Sequence, residues 1–77
     1  MPHLSPVSAK KLIAMLEHGG FLCVRTKGSH YYFLNKVTKK TTVVPVHGNR
    51  DIGTGLLRAI LRDIDMSVDD FNHKMKR

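Results

Sequence analysis

The stretch Phe21-Leu22-Cys23-Val24-Arg25-Thr26-Lys27-Gly28-Ser29-His30-Tyr31-Tyr32-Phe33-Leu34 decides the fold. It is rich in β-branched and aromatic side chains, which pack well on a pleated, half-buried surface. Two strands are predicted, over residues 21–27 and 29–34, with Gly28 as the turn between them. A polar, basic connection over residues 35–40 suits an exposed hairpin loop. Thr41 to Val46 then forms a third strand. Proline lacks the N–H that a ladder needs, so Pro45 puts this strand at the edge of a small antiparallel sheet in sequential order.

Outward from the strands, the periodicity changes. Upstream, Ala9, Leu12, Ile13 and Leu16 recur at i, i+3, i+4 and i+7 behind the start signals Ser5-Pro6 and Ser8, which predicts an amphipathic helix. It stops at Gly19-Gly20, where glycine adopts the left-handed cap without a Cβ clash. Downstream of a loop over residues 47–52, Leu57, Ile60, Leu61 and Ile64 predict a second helix, with Asp51 or Thr54 as its cap. Ser67-Val68-Asp69-Asp70 resembles a capping box and opens a short last helix in which Phe71 and Met75 share a face. The order α-β-β-β-α with a small C-terminal helix is a two-layer α+β fold. Two helices cover one face of a three-stranded sheet and leave the other open. If the covered side holds Leu22, Val24, Tyr31 and Phe33, strand alternation brings Arg25, His30 and Tyr32 together on the open one.

At 77 residues the chain is expected to be a single domain, residues 1–77, with a thin core and no deep cofactor pocket. Thirteen Lys and Arg stand against six Asp and Glu, a net charge of +7, so a polyanion is the natural partner. Residues 1–50 hold eight of the basic residues and only Glu17, whereas the five basic and five acidic residues of 51–77 cancel. The first half is therefore the partner-facing half. Cys23 is alone, which excludes an internal disulfide, and the chain opens without a signal-peptide pattern. A reducing cytoplasm is expected, with no membrane partner. The His, Cys, Asp and Glu residues reproduce no zinc-site spacing, so neither a metal nor another cofactor is expected.

His30 is the first candidate for chemistry, because imidazole changes charge near neutral pH without special tuning. On its own, an exposed histidine is commonly incidental. Its flanks add weight: Gly28 lets a backbone approach a ligand closely, Ser29 supplies a small hydroxyl, and Arg25 and Lys27 would hold a phosphate nearby. Tyr32 is suited to stacking on an unpaired base, while Tyr31 and Phe33 belong to the core. Lys36, Lys39 and Lys40 read either as a solvated loop or as phosphate contacts that add affinity without sequence information. His47 reads as a complementary acid, a phosphate ligand or a polar residue closing a loop.

Gly28-Ser29-His30 before Tyr31-Tyr32-Phe33, then Val43-Val44-Pro45-Val46-His47, then Gly53-Thr54-Gly55-Leu56-Leu57-Arg58-Ala59-Ile60-Leu61, resembles the HicA toxin family. Gly20-Phe21 and the Met66-Ser67 to Phe71 segment are similar too, so the likeness covers nearly the whole chain. Each motif is weak alone; their order and spacing are specific. Gly55 departs from the family pattern, as one extra residue at the helix start.

The resemblance implies a fold similar to double-stranded-RNA-binding domains and a small endoribonuclease, the toxin of a type II toxin–antitoxin pair. It also implies messenger RNA as substrate, a HicB-like antitoxin as partner, and His30 as the catalytic histidine. Strand cleavage needs no bound metal in principle, since RNA carries its own nucleophile in the ribose 2′-OH. A noncatalytic RNA-binding module is the main alternative, and a basic domain with a protein partner is a third reading. DNA binding fits least, as no helix-turn-helix or zinc-finger spacing is present.

Overall fold

The computed structural model describes residues 3–76. Its elements run β1 (Val7–Ser8), α1 (Ala9–His18), β2 (Phe21–Lys27), β3 (His30–Asn35), β4 (Thr41–Pro45), β5 (Asp51–Ile52), α2 (Thr54–Asp63) and α3 (Val68–Met75). The α+β expectation holds, with β2, β3 and β4 as one antiparallel sheet in sequential order and β4 at its edge. The second strand begins at His30 and extends to Asn35, one residue later at each end than predicted, and the third stops at Pro45.

Local chemistry explains each boundary. The Ser8 hydroxyl accepts a 3.1 Å bond from the Lys11 N–H and caps α1. The Gly19 N–H returns to the Met15 and Leu16 carbonyls, and Gly20, at φ 95°, turns the chain into β2. At α3 the Ser67 hydroxyl accepts from the Asp70 N–H at 3.0 Å. The cap of α2 is neither Asp51 nor Thr54. Gly53 holds that position without a side-chain bond, Thr54 is already helical, and Gly55 lies in the first turn.

Asp51 is drawn away because it lies in β5, which pairs antiparallel with β1 through Val7↔Ile52 and Ser8↔Asp51. This second, two-stranded sheet lies within stretches read as a helix start and a loop. Two-residue strands leave no periodicity to read, and their pairing joins segments more than forty residues apart.

The core lies between the three-stranded sheet and the helices. Leu12, Leu16, Leu57, Ile60 and Leu61 from α1 and α2 are buried against Phe33 and Val44 of the sheet, and Phe71 of α3 joins them. The Thr42 hydroxyl, buried on the same face, donates to the Asp63 carboxylate at the end of α2, 3.0 Å away. Asn35 organises the β3–β4 loop. Its carbonyl oxygen accepts from the Val37 and Thr38 N–H groups, while its amide donates to the Gly19 carbonyl at the end of α1.

The covered face differs from the expectation on β2. Leu22 pairs with Leu34 on the open side and is 52% exposed, and Val24 is 54% exposed. Phe21 is buried on the covered side instead, opposite Asn35, and Cys23 points to that side opposite Phe33 but is itself exposed. The physical reason is a β-bulge: Cys23 pairs with Phe33 and Arg25 with Tyr32, so Val24 has no partner of its own. This one extra residue reverses the alternation. Arg25 and Lys27 therefore reach the open face even though Cys23 does not.

Candidate active site

The register sorts the open face into three cross-strand rows. Lys27, His30 and Pro45 form the first, Arg25, Tyr32 and Val43 the second, and Leu22, Leu34 and Thr41 the third. Cross-strand neighbours have Cβ atoms about 4.5–5.5 Å apart, so the side chains of each row stand next to one another. The face grades from a basic, imidazole-bearing end to an apolar end.

His30 opens β3 at the basic end, and its side chain is exposed. The turn before it is a two-residue hairpin of Gly28 and Ser29, since Lys27 pairs directly with His30. Gly28 has φ 59° and Ser29 is not among the positive-φ residues, the sign pattern of a type II′ turn that asks for glycine first. A Cβ at Gly28 would meet nothing within 4 Å, so the space beside this backbone is open. In the next row the Arg25 guanidinium carbon lies over the Tyr32 ring, 5.0 Å from its centroid, a cation–π contact that ties the two side chains together.

His47 belongs to the same end. The Val46 N–H donates to the Ser29 carbonyl at 2.7 Å, which extends the pairing past Pro45 and brings the chain to the Gly28-Ser29 turn just before His47. A tight turn follows, closed by the Arg50 N–H on the His47 carbonyl at 3.1 Å with Gly48 at φ 59°. His47 and Arg50 are both exposed. Arg50 escaped the sequence reading as a site candidate, although Gly48-Asn49 is a recognisable turn signal.

Lys36, Lys39 and Lys40 are not brought to His30. Their loop leaves β3 at the opposite end, five residues from His30 and so about 17 Å along the strand. There the Asn35 N–H donates to the Lys40 carbonyl, and Lys40 lies 4.0 Å from the Asp65 carboxylate. Arg25, Lys27, Gly28, Ser29, His30, Tyr32 and His47 thus form one group, and the three loop lysines form another. Leu22, Leu34, Val43 and Pro45 also face the same side; alternation from His30 puts Leu34 there, whereas Leu22 was expected on the covered side. Among the described residues no group of three or more His, Cys, Asp or Glu is placed to hold a metal ion.

A family model described as the HicA toxin of bacterial toxin–antitoxin systems matches residues 9–66. The chain belongs to the HicA toxin family. The matched span contains α1, the whole three-stranded sheet and α2, and with them every residue of the open face. As a toxin of this family it is one half of a toxin–antitoxin pair, and a HicB-type antitoxin is the implied partner. No curated protein matches the chain. Among the described residues, no helix of the toxin is long and apolar enough to cross a membrane.

Proposed function

We propose that this toxin is an endoribonuclease that cleaves mRNA in the cytoplasm and so blocks translation, with His30 as its catalytic residue. One observation carries the reading. The exposed His30 imidazole stands at a hairpin end beside Lys27, one row from the stacked Arg25–Tyr32 pair, in a chain of the HicA family.

RNA supplies its own nucleophile, so the protein has to position the backbone and move protons. The ribose 2′-oxygen bonds to the adjacent phosphorus as its proton leaves. The bond from phosphorus to the 5′-oxygen then breaks, and that oxygen takes a proton. The products are a 2′,3′-cyclic phosphate and a free 5′-hydroxyl. His30 serves as proton carrier at one of these two oxygens, a role worth about 10²–10⁴ in rate. Lys27 and Arg25 stabilise the charge that builds on the phosphorane.

The remaining residues bind and orient. Tyr32, held by Arg25 on one side of its ring, takes an unpaired base on the other. Gly28 and Ser29 let the RNA backbone approach, and His47 is the candidate for the second proton or a phosphate contact. Lys36, Lys39 and Lys40 meet phosphates farther along the strand. A HicB-type antitoxin inhibits by covering this face.

The test is His30→Ala. RNA cleavage and growth inhibition should fall by about 10²-fold or more. RNA affinity should change little, and stability should stay within about 0.5 kcal/mol, as for most surface substitutions. Wild-type cleavage should persist in chelator and leave cyclic-phosphate ends. Cleavage by the alanine variant at the wild-type rate would replace this reading with a noncatalytic RNA-binding module. Loss of wild-type cleavage in chelator would replace the ribose-hydroxyl route with a metal-activated water.

A further inference from the structure

On the helical side of the molecule, a groove of about 600 Å³ runs between α1 and α3. Met15, Met66 and Met75 line it, three of the chain's four methionines, and Lys11, His18 and Lys74 stand along its edges. None of its lining residues belongs to the open sheet face, and none is acidic.

We propose that this groove docks an acidic, amphipathic peptide segment of a partner protein, on a surface separate from the RNA face. Three features point to that occupant. Methionine is unbranched, polarizable and adaptable, and methionine-lined surfaces accept apolar side chains of varied shape. Two ammonium groups and an imidazole around an apolar floor, with no carboxylate among them, complement a segment whose apolar anchors are flanked by Asp and Glu. The lining also lacks Phe, Tyr and Trp, and its one imidazole, His18, stands at the edge, so it offers unpaired bases a poorer stacking platform than the Tyr32 face.

The groove passes into a smaller hollow of about 350 Å³ that shares Met15, Met66 and Lys74. There the Asp65 carboxylate lies 4.0 Å from Lys40, so the hollow presents an acidic group that the α1–α3 end does not. The opposite walls come from helices far apart in sequence. Lys11 and Met15 lie in α1, and Lys74 and Met75 in α3, which follows the span matched by the family model. A segment seated here leaves His30 and Tyr32 free, so the docking is independent of RNA cleavage.

A random 16-residue peptide library displayed on phage, selected on the full chain, is the probe. The recovered peptides should be enriched in Asp and Glu, with apolar residues at i, i+3 or i+4 and i+7. They should shift the methyl resonances of Met15, Met66 and Met75 and leave the Tyr32 ring and His30 imidazole signals in place. The double variant Lys11→Glu/Lys74→Glu, both exposed positions whose fold is checked by circular dichroism, should bind them on the order of 10-fold more weakly. Met75→Gln should weaken binding while keeping its dependence on acidic residues.

Peptides without acidic enrichment, or none recovered at all, overturn the proposal. So does equal binding to the charge-reversed variant, or shifts centred on Tyr32. A short single-stranded RNA that displaces the peptides and moves the same three methyls would reassign the groove to nucleic acid. His30→Ala should bind the peptides as the wild type does, so failure of the nuclease reading and failure of this one give different results.

Discussion

His30 owes its position to the residue two before it. Gly28 sits at φ 59°, a positive value that residues with a Cβ rarely adopt, and the two-residue turn by which Lys27 pairs directly with His30 requires it. Steric space is not the constraint, because a Cβ there meets nothing within 4 Å. After glycine, asparagine is among the residues that primed turns accept at a positive-φ position, and a β-branched residue is not. Gly28→Asn should therefore lower stability by less than about 1 kcal/mol, or roughly 4–8 °C in Tm at most for a domain of this size, and Gly28→Val by more. If the open space beside Gly28 receives RNA backbone, Gly28→Asn also lowers RNA affinity while the chain stays folded. Thermal unfolding with RNA titration reads both effects. Unchanged affinity and cleavage would reduce Gly28 to a turn former.

At the scale of the element, the bulge in β2 decides which of its side chains reach the open face. Val24 is the unpaired residue between the Cys23↔Phe33 and Arg25↔Tyr32 pairs. Deleting it joins those pairs into a regular ladder, with Cys23 still on the covered side and Arg25 still opposite Tyr32. Deleting Thr26 instead shifts Lys27 by one position, moves it to the other face and breaks its pairing beside the turn. The Val24 deletion should thus keep most of the stability and RNA affinity, and the Thr26 deletion should lose both. Circular dichroism melts and RNA titrations of the two variants test this. A Val24 deletion as damaging as the Thr26 deletion would mean that the bend at the bulge, beyond the choice of face, is needed.

For the whole molecule, charge sets the response to salt. The net +7 sits in the first fifty residues, which contain all of the three-stranded sheet. Contacts to single-stranded phosphates release counterions, and log K falls by about 0.7 per contact for each tenfold rise in salt. The group around His30 and the lysine loop together suit three to five contacts. Between about 50 and 200 mM salt, affinity should therefore fall by roughly 20- to 130-fold. Charge reversal at Lys36, Lys39 and Lys40 should weaken binding to all RNAs alike and flatten the slope. A salt-independent affinity would remove the open face as the RNA site.

The sequence by itself determined what neighbouring residues dictate. The period of α1 and its Ser8 cap, the Gly28 hairpin, the edge position of Pro45, the α-β-β-β-α order and the Gly28-Ser29-His30 motif all follow from side chains a few positions apart. Tertiary structure decided the rest, because pairing and docking join segments that local pattern cannot connect. The β1–β5 pairing joins residues more than forty positions apart. The bulge at Val24 appears only when β2 is aligned on β3, and it put Leu22 and Val24 in solvent where strict alternation had buried them. The length of β3 set the loop lysines at the far end of the sheet from His30, and the packing of α3 near α1 made a methionine groove from residues sixty positions apart. Strand and helix periods are properties of a short stretch of chain, whereas faces, ends and grooves exist only once distant stretches touch.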